Sequence, residues 1–387
     1  MGTFQVLYRR RRRRWALCRG EILERVTPAS SASTVGLVSI LKPLAGRDDD
    51  LDANLESFAT LDEHPHEILF GVASRSDPAY RAACAFVARH PEIDARVIVT
   101  NPRAAINPKV AQLIGLAAEA RGDVLVTSDS NVRVRPDYLV HLLAPLRDAR
   151  CGLVTSVFAG TGERTLGAAL ENLQLTAVIA PCVVLSTLGM PVTVGKSMAM
   201  RRGDLERLGG FAAFGNLLAE DAAMGRRFAE AGLRVATSFV PVENRNVVGT
   251  VARSFERHSR WAKMRRAMSP TFFAIEPFFS PILVAIVAAF LVPGRLTCAA
   301  LAASTLLQTF TALAAAWTVR GQPLPWRYAP LEIVRVFLMF ACWVSACLSR
   351  TVSWRGNALA VGRGTVLTPI PPVSTEDEDE DVTARAA

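Results

Sequence analysis

The sequence has no paired cysteines, no histidine cluster and no complete phosphate loop, and each absence removes a class of chemistry. Its seven cysteines, Cys18, Cys84, Cys151, Cys182, Cys298, Cys342 and Cys347, are an odd set with no Cys-x-x-Cys among them. Neither a thiolate zinc site nor a disulfide framework is indicated, and the soluble part is expected in a reducing compartment. The five histidines fall at no ligand spacing, and His64 and His66 flank Pro65 as loop residues do. Gly195-Lys196-Ser197 resembles the tail of a phosphate loop but lacks the loop's first glycine, so that reading is rejected. Although the formal charge is +9, no basic stripe is interleaved with aromatics, and nucleic acid is not an expected partner. The arginine run at residues 9–14 is not followed by an apolar core, since Ala16-Leu17-Cys18 leads straight into Arg19, which argues for a disordered basic arm rather than a signal peptide.

What is present is apolar and unevenly spread. Half of the 387 residues are hydrophobic. Residues 36–270 mix them with charges as a globular domain does, whereas residues 271–348 hold three long apolar runs, at about 278–292, 296–319 and 329–348. The second and third are long enough to span roughly 30 Å of hydrocarbon, and the first is short unless it starts near Phe272. Glu332 and Arg335 lie one turn apart in the third, as a structural clasp or as part of an acceptor path. Arg320 and Arg327, and then Arg350, Arg355 and Arg363, favour the cytoplasmic side for their loops. Both loops cannot be cytoplasmic if one full span separates them, so the number of crossings stays open. The expected organisation is a basic arm at 1–35, an α/β domain at 36–253 and an interfacial helix at 254–270. Transmembrane helices at 271–350 and a segment at 351–387, ending in a solvated acidic run at 376–381, complete it.

Within the α/β domain, apolar strands alternate with helices. The first runs from Gly36 into Lys42-Pro43-Leu44, with a helix from Asp48. The second, residues 67–72, ends in Ser76-Asp77-Pro78, with Pro78 opening a helix. The third, 95–99, leads to Asn107-Pro108-Lys109 and a helix to Arg121, and the fourth, 124–127, ends in Ser128-Asp129-Ser130-Asn131. Such alternation implies parallel βαβ units with polar residues at the carboxyl ends of strands, where open sheets bind ligands. Asp77 and Asp129 would then share a crevice, although either alone reads as an ordinary helix cap. Residues 172–190 are apolar, with Pro181, Gln174, Thr176 and Ser186 arguing against a span; core and lipid-facing surface are both open. A strand at 193–200 and a turn at Gly209-Gly210-Phe211 lead to the stretch on which the rest is organised. It opens on Glu220-Asp221 before a helix and closes on Arg257-His258-Ser259-Arg260-Trp261. A carboxylate for an attacking hydroxyl and guanidiniums for departing phosphates are what moving a sugar from a nucleotide diphosphate requires.

Asp77 in Ser76-Asp77-Pro78-Ala79, Ile106-Asn107-Pro108-Lys109, Asp129 in Ser128-Asp129-Ser130, Glu220-Asp221 and Arg257-x-x-Arg260-Trp261 resemble, in order and spacing, the ceramide glucosyltransferase family. Ser39-Ile40-Leu41-Lys42-Pro43-Leu44 and Val352-Ser353-Trp354-Arg355 look like it too, and the likeness covers about residues 36–360. The resemblance implies a GT-A domain with a mostly parallel sheet, followed by transmembrane helices. It implies transfer of a hexose, glucose foremost, from a UDP-sugar to the primary hydroxyl of ceramide, with inversion to a β-linked lipid. Asp221 would be the catalytic base and Asp77 would lie against the uridine. Asp129 would approach a divalent cation, Mg2+ or Mn2+, on the diphosphate. Lys42, Pro43, Lys109, Arg257, Arg260 and Trp261 would complete the nucleotide-sugar site. The implied protein is multi-pass, with its catalytic domain on the cytoplasmic face and no obligate protein partner. A hopanoid acceptor with UDP-N-acetylglucosamine is the rival within the class, and a non-catalytic nucleotide-sugar-binding scaffold the rival outside it. Two features depart from the family. Ser130 and Asn131 follow Asp129 where many GT-A enzymes carry a second acid, so metal ligation rests on fewer charges. The amino end has an arginine arm where the family has a membrane anchor.

Overall fold

A computed structural model describes residues 36–62, 64–354 and 357–370; the arginine arm, Arg355 and the acidic run lie outside the described residues. Four apolar stretches form the strands β1 (Val38–Pro43), β2 (His66–Val72), β3 (Ala95–Val99) and β4 (Val124–Ser128), parallel and in the order β3-β2-β1-β4. Their side chains alternate between two cores. Val38, Ile40, Ile68, Phe70, Val72, Val124 and Val126 enter one, and Leu41, Leu69 and Leu125 the other. Burial of both faces is why these strands read as unbroken apolar runs rather than as an alternating pattern. Helices α1 (Leu51–Glu56) and α2 (Pro78–Arg89) close the first core with Leu51, Leu55 and Phe86. Helix α3 (Pro108–Glu119) closes the second with Val110, Leu113 and Leu116.

The chain continues through β5 (Val132–Arg133), α4 (Tyr138–Leu143), β6 (Cys151–Thr161), α5 (Leu166–Gln174), β7 (Ser197–Arg201), α6 (Arg202–Arg207), α7 (Glu220–Glu230) and β8 (Arg234–Arg245). The sheet extends as β4-β7-β6-β8-β5, with β7 antiparallel to both neighbours and β8 parallel to β6. The reversed strand sets Ser197 opposite Ser128, which brings the residue before β7 to the carboxyl end of β4. The strand expected from Thr193 therefore starts at Ser197, and residues 193–196 cross the end of the sheet. The apolar run 172–190 divides. Leu173 and Ala177 are buried against later helices, whereas Leu185, Leu188 and Met190 are exposed.

Beyond the sheet come α8 (Val251–Met268), α9 (Pro270–Ile275), α10 (Pro281–Leu291), α11 (Arg295–Arg320) and α12 (Ala329–Leu348). Among the described residues two helical stretches, Arg295–Arg320 and Trp326–Leu348, are long and apolar enough to cross a membrane, and Pro270–Phe279 meets Pro281–Leu291 at a bend of 73°. Ion pairs lock this part to the sheet. Arg320 grips Glu163 at 2.8–3.0 Å and the Tyr328 hydroxyl donates to the same carboxylate at 2.8 Å. Glu332 and Arg335 do pair, and Arg335 also donates to Gln174 of α5. The two form a clasp between α12 and the globular part. A small antiparallel sheet, β9 (Thr351–Trp354), β10 (Asn357–Val361) and β11 (Leu367–Pro369), then returns to bury Val352, Leu359, Val361 and Leu367 against Leu218.

Glu67 on β2 ties the far edge of the sheet together. Its buried carboxylate accepts from Ser39 Oγ at 2.6 Å, the Arg121 amide at 2.6 Å, Arg121 Nε at 2.9 Å and Arg96 Nη2 at 2.7 Å. Burial alone would raise its pKa, but these donors outweigh it and hold the carboxyl at about 2. Glu67→Gln leaves the donors without their anion and is expected to destabilise the protein by about 3 kcal/mol, measured by thermal unfolding at neutral pH. Because the folded pKa lies below the ordinary 4.5, the contribution is whole above that pH and is lost as pH falls toward about 2. The gap between wild type and variant should shrink over that window.

Candidate active site

The start of α3 positions the first charged group. Asn107 caps the helix, its Oδ1 accepting from the Lys109 and Val110 amides at 3.0 and 3.2 Å, with Pro108 at the first helical position. Its Nδ2 donates to Leu217 O at 2.8 Å and Glu220 Oε2 at 3.3 Å, so one side chain fixes α3 against the residues that open α7. Lys109 emerges from that first turn among carboxylates. Its Nζ lies 2.9 Å from Asp129 Oδ1 and 3.1 Å from Glu220 Oε1, and donates to Gly195 O at 3.0 Å. Lys196 Nζ meets the other Asp129 oxygen at 3.1 Å. The antiparallel register puts it there, since the Asp129 amide bonds Lys196 O at 3.1 Å. From β1, the fully buried Lys42 donates to Asp129 O at 3.1 Å and Ser128 Oγ at 3.2 Å, with its ammonium 3.9 Å from the centre of the Phe58 ring.

Asp221 completes the cluster from the first turn of α7. Its Oδ2 accepts from the Gly195 amide at 2.6 Å and its Oδ1 from the Ala222 amide at 2.7 Å. Thr193 Oγ1 donates to its backbone oxygen at 2.6 Å. Gly195 leaves room for this approach: a Cβ there would sit 2.9 Å from Lys109 Nζ and 3.2 Å from the Asp221 carboxylate, so that both side chains would have to shift.

The charges shift one another. Burial would raise Asp129, but Lys109 and Lys196 outweigh it and hold the carboxyl at about 2. Burial likewise opposes the charge on Lys109, yet Asp129, Glu220 and Asp221 raise it above the ordinary lysine range. Lys42 goes the other way: desolvation brings it down to about 7 against the pull of Asp129. Glu220 is raised, chiefly by burial, with Lys109 opposing and Asp221 adding to the shift.

Of the residues expected at a nucleotide-sugar site, the structure gathers Lys42, Lys109, Asp129 and Asp221, with Pro43 closing β1 beside them. The others have partners of their own. Asp77 caps α2, its Oδ1 accepting from Ala79 and Gly46 amides at 2.8 and 2.9 Å, which ties the loop after β1 to the end of β2. Arg257 pairs with Glu171 and donates to Asn246 at 3.3 Å, lining a polar recess with Asp48, Asn131 and Arg245. The Arg260 guanidinium sits 5.5 Å from the centre of the Trp354 ring. Trp261 packs edge-on to His258 and against the first core. Sequence reasoning missed Lys196 and Glu220 as members of the cluster. Lys196 was visible only inside an incomplete phosphate-loop pattern, and Glu220 only as the neighbour of Asp221.

A divalent cation does not fit Asp129 as it stands. Each carboxylate oxygen already meets an ammonium, and Ser130 and Asn131 add no second acid. Among the described residues no group of three or more His, Cys, Asp or Glu side chains is placed to hold a metal ion.

The comparisons with known proteins agree with this architecture. A mannosyltransferase from Pyrobaculum calidifontis, solved with GDP-Man and Mn2+, has a similar fold at a TM-score of 0.50 and 20% identity, covering 89% of this chain and 94% of its own. The chain therefore has the mixed, mostly parallel GT-A sheet with apolar helices after it. Ceramide glucosyltransferase 1 of Caenorhabditis elegans is 27% identical over 341 residues, 84% of this chain and 72% of that protein. Ceramide glucosyltransferase 3 of the same organism is 25% identical, covering 86% and 74%. The sequence model of the family described as Glycosyl transferase family 21 matches residues 5–367, which is nearly the whole chain, and the protein therefore belongs to glycosyltransferase family 21.

Proposed function

We propose that this glycosyltransferase moves glucose from UDP-glucose to the primary hydroxyl of ceramide, with inversion, on the cytoplasmic face of a membrane. The observation that carries the reading is Asp221, a carboxylate fixed by the Gly195 amide at 2.6 Å beside a lysine-rich cluster at the carboxyl end of β4. The acceptor and the sugar are taken from the names of the two worm relatives. Among the described residues Cys84, Cys151, Cys182, Cys298, Cys342 and Cys347 are free thiols, which supports the reducing side of the membrane.

In this reading the acceptor oxygen attacks the anomeric carbon from the face opposite the diphosphate. The new C–O bond forms as the bond to the β-phosphate oxygen breaks, and UDP leaves with the electron pair. The hydroxyl proton passes to the Asp221 carboxylate. Negative charge grows on the departing phosphate, and Lys109 and Lys196 stand beside Asp129 to meet it. Lys42, poised near neutrality by its burial, gains charge as the diphosphate arrives. Asp129 holds the two ammoniums in place, and no step is assigned to a metal.

Mass analysis of the product from purified protein, UDP-glucose and UDP-N-acetylglucosamine, with ceramide and hopanoid acceptors, tests sugar and lipid together. A hexosylceramide is expected; a product on another lipid, or none, overturns the assignment. Asp221→Asn should lower kcat by about a thousandfold while UDP affinity stays near wild type, a split that a nucleotide-binding scaffold would not show. Lys196→Met removes one charge-assisted contact and should weaken UDP binding about tenfold. Wild-type turnover should persist in excess EDTA, and complete loss restored by Mn2+ would refute the lysine assignment.

A further inference from the structure

Among the described residues two stretches satisfy the length and hydropathy of a membrane span, yet one of them, α12 with its preceding turn, touches the globular part along nearly its whole length. Before its start, Tyr328 donates to Glu163 at 2.8 Å, and nearly two turns in, Arg335 bonds Gln174 of α5. Midway, Cys342 Sγ contacts Phe255 O of α8 at 3.6 Å and Trp343 Nε1 donates to Phe273 O at 2.8 Å. At its end Arg266 of α8 bonds the carbonyls of Ala346 and Cys347, and Lys263 donates to Thr351 O at 2.7 Å. Phe255 and Ala262 of α8 pack in one apolar cluster with Cys342 and Ala346 of α12, so the two helices run side by side.

That arrangement decides what α12 can do in lipid. A 20-residue helix is about 30 Å long, enough to cross. If it crossed, α8 would be carried into hydrocarbon with Arg257, Arg260, Lys263, Arg265 and Arg266, at about 3 kcal/mol or more for each charge near the centre. The unburied face of α12 fits another placement. Ile333, Val334, Phe337, Phe340 and Leu348 are its exposed large hydrophobics, and on a helix of 3.6 residues per turn they fall within an arc of about 120°. A helix with one apolar stripe and a charged neighbour on its opposite side lies in the plane of the interface. Trp326, 86% exposed just before the helix, is the residue type that marks that boundary.

We infer that α12 does not span the membrane but lies flat in one leaflet, its stripe in the acyl boundary and α8 behind it, so that the chain leaves and rejoins the lipid on the face of the catalytic domain. The chain departs at Met268 and is back in contact with α8 at Thr351, which makes the number of crossings between them even. The apolar insertion is then the α10–α11 hairpin, which turns at Pro293 and Gly294. Gln308 of α11 joins its two limbs to the clasp, accepting from Ser280 Oγ at 3.1 Å and donating to Glu332 Oε1 at 3.0 Å. The inference rests on the membrane reading and deepens it. The acceptor headgroup plane is the plane of α8 and α12, beside the small sheet that holds Leu218 at the start of the catalytic helix.

The test uses the full chain reconstituted into phosphatidylcholine vesicles. Ile333, Val334, Phe337, Phe340 and Leu348 are replaced one at a time by a fluorescent unnatural amino acid. Each is quenched by lipids brominated at shallow or deep acyl positions. Equal, shallow depths within about 5 Å at all five positions are expected. Depths that move by about 20 Å from Val334 to Leu348, the rise of a helix along the membrane normal, would overturn the inference while leaving the membrane reading intact. No quenching at any position would overturn both. Phe337→Lys gives a second readout: a flat helix lets the ammonium reach the headgroups, and the yield of vesicle-bound protein stays within about twofold. A span with this residue near its centre would lose most of that yield.

Discussion

Everything at the candidate site is arranged around one ammonium group. Lys109 stands within 3.1 Å of Asp129 and Glu220 and shares Gly195 with Asp221, so three elements from separate parts of the chain converge on a single positive charge. Without it, three carboxylates would face one another across a buried space, and like charges at that range keep one another from ionising. With it, Asp129 is held as an anion at the end of the sheet. The helix cap that aims Lys109 is Asn107, whose amide also reaches across to Leu217 and Glu220. Asn-Pro-Lys is therefore one device: a cap, a helix start and a charge placed two residues later.

The second constraint is how the apolar helices meet the globular part. Glu163 with Arg320 and Tyr328, and Glu332 with Arg335, Gln174 and Gln308, are ionic or polar clasps between surfaces that are otherwise apolar. Their directionality fixes a relative position that packing of Leu173 and Ala177 against Ala312 and Ala316 would leave free to slide. The small sheet that follows α12 carries this rigidity to the site. Thr365 O accepts from the Leu218 amide at 2.9 Å, and Leu367 donates to Asn216 O at 2.7 Å, just before Glu220 and Asp221. The apolar helices and the segment that opens on Glu220-Asp221 are thus joined by a few short hydrogen bonds.

How much was legible varies with the range of the interaction. The four parallel strands, with their alternation into two cores, could be read from apolar runs bounded by Pro, Asn and Asp, because strand formation and helix capping are local. Asp129 and Asp221 were placed by their position after a strand and at the start of a helix. Asp77 was equally conspicuous and is a cap, since a carboxylate two residues ahead of a free amide has a local partner at hand. The arginines of α8 were read as reaching for phosphates, whereas Arg257, Arg265 and Arg266 have protein partners. A single sequence shows that charges are present but not which distant groups neutralise them.

Composition and periodicity alone determined that this chain has an α/β sheet with polar strand ends, a basic helix after it and apolar helices beyond, because each follows from neighbours a few residues apart. Only the tertiary structure decided that Lys196 stands opposite Asp129, since that depends on β7 running antiparallel to β4, a pairing across 67 positions of sequence. Only it decided that the last apolar helix lies along α8. Hydropathy counts the residues of a helix, whereas its orientation is set by the charged partner packed beside it.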